Sequence, residues 1–253
     1  MGKIIAVTGK GGTGKTAVTA MLIRYLVKES RKKYLMLVID ADADANLADA
    51  LGVRAEKTIG DMREFMQQSR YSTPPETDKQ VLFEFKLFEI LLEAEGFDLL
   101  VMGKPEGSGC YCFVNNLLRS IMDKTVADYD LVIIDTPAGL EHFSRKTIPD
   151  LDDLIVVTDE SRRGLTTGER IRDLAKEIGL NYRNLYVIVN KVTPGRREKV
   201  LENAKSLGLK VIGTIPYDES LAKFDLVGDP LMGLPDDSLA VQEMKQVVRN
   251  LGL

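Results

Sequence analysis

Cysteine is almost missing from this sequence, with 2 among 253 residues, and there is a single histidine. Two thiols cannot build the disulfide framework of a small secreted protein, so a reducing cytoplasm is the expected compartment. Long apolar runs are missing as well. No segment approaches the ~18 to 20 residues of a membrane span, and the opening Met1–Thr8 is too short for the apolar region of a secretion signal. Nor is there a strong charge of either sign, because 34 Lys and Arg face 38 Asp and Glu for a net charge of −4. No global basic field therefore draws the chain to nucleic acid. Neither an internal repeat nor a low-complexity tract interrupts it. What is present, 44% hydrophobic and 28% charged residues, is the profile of a soluble globular protein long enough to bury a sizeable core without disulfide or metal staples.

Short apolar runs rich in β-branched residues recur along the chain. Lys3–Thr8, Tyr34–Asp40, Phe97–Met102, Leu131–Asp135, Leu154–Thr158, Leu185–Asn190 and Lys210–Ile215 are the expected strands. Several are apolar at nearly every position, as in a parallel sheet covered on both faces. Amphipathic stretches lie between them, with Val18, Met21, Leu22, Tyr25 and Leu26 marking one helix face and Leu165, Ile171, Leu174, Ala175 and Ile178 another. This alternation predicts an α/β fold, a doubly wound, mostly parallel sheet of about seven strands with helices on both faces. Ser72-Thr73-Pro74-Pro75 reads as a loop between a short helix near Ile59–Met66 and an apolar-rich helix near Val81–Leu92. No stretch is long enough for an interdomain linker, so one domain over residues 1–253 is expected. At the end, Val241, Met244, Val247, Val248 and Leu251 form a helical stripe. Its polar face carries only Lys245 and Arg249 against Glu243 and no large aromatic, which favours core packing over a membrane surface.

Gly9-Lys10-Gly11-Gly12-Thr13-Gly14-Lys15-Thr16 directly follows the first expected strand and opens the first helix. It satisfies the G-x-x-x-x-G-K-[ST] pattern in the context that gives the pattern meaning. Glycines let successive N–H groups of Gly11, Gly12, Thr13 and Gly14 curl around phosphate oxygens, and the helix start adds partial positive charge. Lys15 is expected to reach the β- and γ-phosphates and Thr16 to ligate Mg²⁺. Lys10 adds information, because Lys10–Thr16 matches K-G-G-x-G-K-[ST]. Here the chain resembles the deviant Walker A ATPases, the group of MinD, ParA and the nitrogenase iron protein. The resemblance implies that Lys10 crosses a homodimer interface to the partner's ATP phosphates. Many members carry a second hydroxyl residue after the Thr, where this chain has Ala17; its backbone N–H remains available to the α-phosphate.

Strand two ends in Asp40-Ala41-Asp42-Ala43-Asp44-Ala45-Asn46. Three carboxylates beside phosphates repel ATP unless a cation or water lies between. Asp40 is expected in the outer Mg²⁺ shell, and by its position in the resemblance Asp42 orients the attacking water. Asp44 and Asn46 belong to the moving segment. Leu131–Asp135, followed by Thr136-Pro137-Ala138-Gly139, reads as a second metal-holding strand end and a second switch. Asp135 is expected to hold Mg²⁺ through water and Gly139 to give an N–H to the γ-phosphate. Asn190-Lys191-Val192-Thr193 has Thr where GTPases place the carboxylate that reads guanine, which favours ATP (and its product ADP) over GTP. Ile215–Asp218 resembles the family's adenine-flanking loop, so Asn190, Pro216, Tyr217 and Asp218 are expected around the base.

The two cysteines stand two apart, in Gly109-Cys110-Tyr111-Cys112; random placement does this in about 1 of 100 cases. One C-x-C supplies two thiolates, whereas tetrahedral Zn²⁺ or square-planar Ni²⁺ wants four. A homodimer supplies the rest by symmetry. The glycine lead-in, with a helix at Phe113–Met122, suggests a presented loop. C-x-C between strands three and four, with Ala138-Gly139-Leu140-Glu141-His142 after the second acidic strand, is similar to the CooC-type nickel-insertion ATPases, including the related AcsF proteins. That likeness implies a cytoplasmic ATPase that dimerises on ATP, holds Ni²⁺ or Zn²⁺ at Cys110 and Cys112 of both subunits, and serves carbon monoxide dehydrogenase or acetyl-CoA synthase. Parts for His142 and Met102 in metal handling stay open. The rival readings are an electron-transfer ATPase like the nitrogenase iron protein, which separates its two cysteines by a few tens of residues, and a ParA- or MinD-type positioning protein acting on DNA or membrane.

Overall fold

The structure is a computed structural model; it describes residues 2–30, 32–62, 64–65, 79–103, 111–140 and 150–253, with the side chains of 79–81 and 111–116 outside that description. Strands β1 (Lys3–Gly9), β2 (Met36–Asp40), β3 (Leu92–Ala94), β4 (Phe97–Val101), β5 (Leu131–Asp135), β6 (Leu151–Asp159), β7 (Tyr182–Val192) and β8 (Val211–Pro216) form one sheet in the order β3-β4-β2-β5-β1-β6-β7-β8. Every pairing is parallel except β3 with β4. The α/β expectation holds. The strand beyond the seven expected is β3, the short outer arm of a hairpin whose turn is Glu95-Gly96. Gly96 takes a φ of 88° there, and its neighbour Glu95 is not among the residues that usually announce a hairpin turn.

Alternation along the strands divides the core. In β1, Ile4 and Ala6 face one layer while Ile5 and Val7 face the other. Helix α1 (Lys15–Lys28) buries Val18, Met21, Leu22 and Leu26 on the second layer. There it meets α8 (Leu239–Leu251), whose Val241, Met244, Val247, Val248 and Leu251 are all buried. The carboxy-terminal stripe is therefore core. Removing one such side chain to alanine costs about 2–5 kcal/mol, which is why an apolar stripe of this size does not stay in water. The opposite layer carries α4 (Tyr111–Thr125), α5 (Arg162–Glu177) and α6 (Arg197–Ser206), where Leu118, Ile121, Met122, Leu165, Ile171 and Val200 are buried. α3 (Lys79–Ile90) lies where Val81–Leu92 was expected, and residues 59–62 and 64–65 form the short helical segment expected at Ile59–Met66. Among the described residues no helix is long and apolar enough to cross a membrane.

Parallel strands send all their carboxyl ends to one edge. Chain order reverses around β1, which sits between β5 and β6, and the crevice at such a reversal is where open α/β sheets bind ligands. Gly9, Asp40, Asp135 and Asp159 end their strands on this edge.

Candidate functional site

The loop Gly9–Gly14 leaves β1 at the reversal point. A β-carbon on Gly9 would lie 2.2 Å from the Val157 carbonyl oxygen, so the loop can run this close to β6 only as glycine. Gly14 ends the loop in the left-handed region, with φ 84°, and starts α1. There a side chain would meet the Asn190 amide at 2.5 Å. Between them Lys10 is exposed, while its carbonyl accepts the Thr13 hydroxyl at 2.8 Å. Gly11 and Gly12 are exposed, and Lys15 is buried where the helix begins. Thr16 and Ala17 are half-buried on the first turn.

Two buried carboxylates face this loop. Asp40 and Asp135 are register partners across β2 and β5, 0% and 1% exposed. The Thr16 hydroxyl donates to Asp135 Oδ2 at 2.7 Å, and one turn later Thr19, fully buried, lies 3.1 Å from Oδ1. Asp40 instead accepts main-chain N–H groups, from Asp42 at 3.1 Å and Leu47 at 3.0 Å. It thereby closes the loop that runs into α2 (Asn46–Leu51). Burial, reinforced by the charge of Asp135, pushes the Asp40 carboxyl up to about 7. Burial raises Asp135 to about 6, against the pull of the two hydroxyls and Lys15. Asp42, half-buried in the same loop, accepts the Asp44 N–H at 3.1 Å. The loop also carries strain, because Ala45 sits at φ 54° without being glycine.

The segment after β5 rests against the glycine loop. Gly139, at φ 86°, donates its N–H to the Gly9 carbonyl at 3.2 Å, and its own carbonyl accepts from Thr8 at 3.3 Å. The residues expected around the base come from the other half of the sheet. Asn190 is 2% exposed, and its amide donates to the Thr13 carbonyl at 2.9 Å while accepting the Lys191 N–H at 2.9 Å. Pro216 ends β8, and Tyr217 beyond it is 55% exposed. Asp218 caps α7 (Glu219–Val227) through Ser220 and Leu221 and ties it to α8 through Ser238 and Ala240. Although its burial opposes this, those four donors hold its carboxyl below the usual range. Both Asp218 oxygens thus join the start of α7 to the start of α8.

Three contributors escaped the sequence reading. Thr19 could have been found from helical spacing, lying one turn beyond Thr16. Lys191 and Glu160 could not. The Thr193 N–H and hydroxyl each reach the Glu160 carboxylate at 2.9 Å, with Arg196 at 2.8 Å. Hence the position where a guanine-reading carboxylate was missing has one beside it, already occupied by three donors. Cys110 and His142 lie outside the described residues. Cys112 falls by its backbone in the first turn of α4, two residues earlier than the loop reading placed the helix, and its side chain lies outside the description. Met102 is buried, its N–H on the Asp40 carbonyl at 2.8 Å. Among the described residues no group of three His, Cys, Asp or Glu side chains is placed to hold a metal.

A family model described as the CobQ/CobB/MinD/ParA nucleotide binding domain matches residues 4–231. An uncharacterized ATP-binding protein of Methanocaldococcus jannaschii is 48% identical over 250 residues, covering 98% of both chains. The carbon monoxide dehydrogenase accessory protein CooC of Rhodospirillum rubrum is 35% identical over 240 residues, covering 88% of this chain and 87% of that one. Among solved structures, the septum site-determining protein MinD of Pyrococcus horikoshii complexed with Mg-ADP superposes with a TM-score of 0.72 at 25% identity, over 99% of this chain and 96% of that one.

Proposed function

The chain belongs to the CobQ/CobB/MinD/ParA family of nucleotide-binding domains, and from that premise we propose that it is a cytoplasmic, single-domain ATPase that carries nickel to a metalloenzyme. In this reading two copies share one soft divalent cation, Ni²⁺ or Zn²⁺, through Cys110 and Cys112 of each. The client is carbon monoxide dehydrogenase or acetyl-CoA synthase. The observation that carries it is the C-x-C pair in a chain that resembles CooC over most of its length.

The fold supports a link between nucleotide and thiols. β4 pairs with β2 so that Val101 stands opposite Asp40, and the Met102 N–H is bonded to the Asp40 carbonyl. The segment leading to Cys110 therefore leaves the sheet beside the acidic loop.

The site also suits ATP chemistry. Asp40 and Asp135 form an all-oxygen pair with raised proton affinity, the donor set of a hard cation. With Thr16 they would hold Mg²⁺, which supplies neutralising charge to the β- and γ-phosphates. Lys15 and the N–H groups of the glycine loop bind the phosphates. Lys10, which is exposed, would reach the phosphates of a second copy. Asp42 orients the water that attacks the γ-phosphorus as the bond to the bridging oxygen breaks, releasing ADP and phosphate. Gly139 would trade the Gly9 carbonyl for the γ-phosphate, so that arrival and loss of that group move the second switch. Asn190, Pro216 and Tyr217 frame the adenine, and Asp218 supports them.

Metal analysis with and without ATP, paired with mass by light scattering, tests this. About one metal per two chains is expected when nucleotide and nickel are both supplied. Replacing both cysteines by serine should abolish metal uptake and leave ATP binding intact; stoichiometric metal on the double variant overturns the thiolate assignment. The second reading, a positioning ATPase of the MinD or ParA kind, draws on the fold shared with MinD. It expects co-sedimentation with liposomes or DNA. The inward stripe of α8 and the net charge of −4 speak against both surfaces.

A further inference from the structure

Lys191 has no part in the chemistry above, yet its backbone is unusual. It takes a φ of 58°, one of two described non-glycine residues in the left-handed region, a conformation that residues with a β-carbon rarely adopt. The consequence is visible in its side chain. Lys191 lies within β7 where its register with β8 shifts between Val189 and Val192, and its ammonium lies 3.2 Å from the Gly12 carbonyl oxygen, 179 residues away in sequence. Asn190 beside it holds the next carbonyl, that of Thr13, at 2.9 Å. Two successive carbonyls of the glycine loop are thus pinned by two successive residues of a strand that does not adjoin β1.

The peptide bond makes this matter for binding. In a planar trans peptide the C=O and the following N–H point in opposite directions. Pinning the Gly12 and Thr13 carbonyls toward β7 therefore turns the N–H groups of Thr13 and Gly14 the other way. The Thr13 N–H makes only a 3.4 Å bond, to the Lys10 carbonyl, so it can be traded for a phosphate oxygen. A loop free to rotate these peptides would have to order them on binding, which reduces affinity.

We propose that Lys191 is a positioning residue for the phosphates, acting through the Gly12 peptide and retained in its left-handed conformation because only that turn aims the ammonium at the loop. The inference rests on the nucleotide-binding reading of the glycine loop. It extends that reading to a side chain that touches neither phosphate nor base.

The test uses Lys191→Asn, which tolerates the left-handed backbone but lacks the ammonium, with Lys191→Gly as a second such variant and Lys191→Arg as the restoring one. Affinities for Mg-ATP, pyrophosphate and adenosine are measured by calorimetry. The Asn and Gly variants should bind Mg-ATP and pyrophosphate about tenfold more weakly, with adenosine unchanged and with faster release of a fluorescent ATP analogue. Arg should restore most of the loss. Unchanged pyrophosphate affinity, or an equal loss for adenosine, overturns the proposal. So does failure of both variants to fold, because a brace acting only on the loop leaves the fold intact. If the wild type takes up no ATP, the nucleotide reading falls and this one with it. If the wild type binds and the variants match it, only the role of Lys191 falls.

Discussion

Two aspartates end neighbouring strands in register, and the protein holds them by different means. Asp40 and Asp135 are equally buried register partners, but only Asp135, on the strand beside β1, touches the end of the glycine loop through Thr16. Asp40 is gripped by main-chain N–H groups of its own loop, whereas Asp135 is gripped by two threonine hydroxyls of α1. A main-chain donor cannot turn away without moving the loop; a hydroxyl turns about a single bond. Asp40 is thus a fixed organiser of residues 40–47, and Asp135 is an acceptor able to trade a hydroxyl proton for a cation.

Alanine at each position should separate these roles. Asp135→Ala is expected to weaken the Mg²⁺-dependent part of ATP binding about 10- to 100-fold, as loss of a group supporting a metal commonly does. With melting measured near pH 5, where both carboxyls are largely protonated and removing one relieves no charge, metal-free nucleotide binding and the melting temperature of the apo protein should change little. Asp40→Ala should add a stability loss, because it leaves the Asp42 and Leu47 N–H groups without an acceptor at about 1–3 kcal/mol each, or roughly 5 °C or more in melting temperature for a chain of this size. Scanning calorimetry beside fluorescent-ATP titration with and without Mg²⁺ reads both. Equal melting losses for the two variants would erase the distinction.

The pair also sets a pH dependence. Both carboxyls are raised in the folded protein, to about 7 for Asp40 and about 6 for Asp135, chiefly by burial, against about 3.9 in an unfolded chain. A raised acid stabilises the fold fully below its unfolded value and loses that contribution as pH climbs to the folded value. Apo stability should therefore fall between about pH 4 and pH 7 and level off above. Asp135→Asn removes one buried charge and relieves its neighbour, so the fall should become shallower and the apo protein should melt higher at pH 8 than the wild type. Adding Mg²⁺ with ADP should flatten the wild-type curve in the same range. A melting temperature that rises steadily from pH 5 to pH 8 without nucleotide would show that the two charges are compensated by other means.

How much of this was legible before any coordinates depends on how far apart the partners lie. Gly9–Thr16, Asp40 and Asp135 were readable because each sits in a local pattern, an apolar strand that ends in a glycine turn or an acid. The parallel sheet was readable for the same reason. β3 was not, since Leu92 continues the apolar run of the preceding helix and three residues give no period of their own. The pinning of Gly12 and Thr13 by Lys191 and Asn190 spans 179 and 177 residues and depends on how β7 is set beside β6, where Asn190 stands opposite Asp159. No local pattern encodes that placement. The bonds that Asp218 accepts from Ser220, Leu221, Ser238 and Ala240 were hidden for a related reason: Ser238 and Ala240 lie some twenty residues on, and the position after β8 suggested only a place beside the base.

The smallest effect, and the sharpest probe of the exchangeable grip on Asp135, is expected at Thr19. Its hydroxyl lies 3.1 Å from Asp135 Oδ1 and 3.0 Å from the Lys15 carbonyl, and its one proton can serve only one acceptor at a time. In the apo state Thr16 already holds the other carboxylate oxygen, so losing Thr19 should cost little. Once Thr16 turns toward a cation, Thr19 becomes the remaining hydroxyl on Asp135, and its proton is drawn to the charged oxygen over the neutral carbonyl. Thr19→Val keeps the shape and removes the proton. It should raise the Mg²⁺ concentration needed for half-maximal ATP binding about threefold, below the roughly 1.5–3 kcal/mol of a hydrogen bond to a charged group because the Lys15 carbonyl competes for the proton. Metal-free ATP affinity and apo melting temperature should stay within error, and Thr19→Ser should restore the Mg²⁺ response. A loss of metal-free affinity equal to the loss with Mg²⁺ would mean that Thr19 shapes the helix start and not the carboxylate. In that case Asp135 would depend on Thr16 and Lys15 alone.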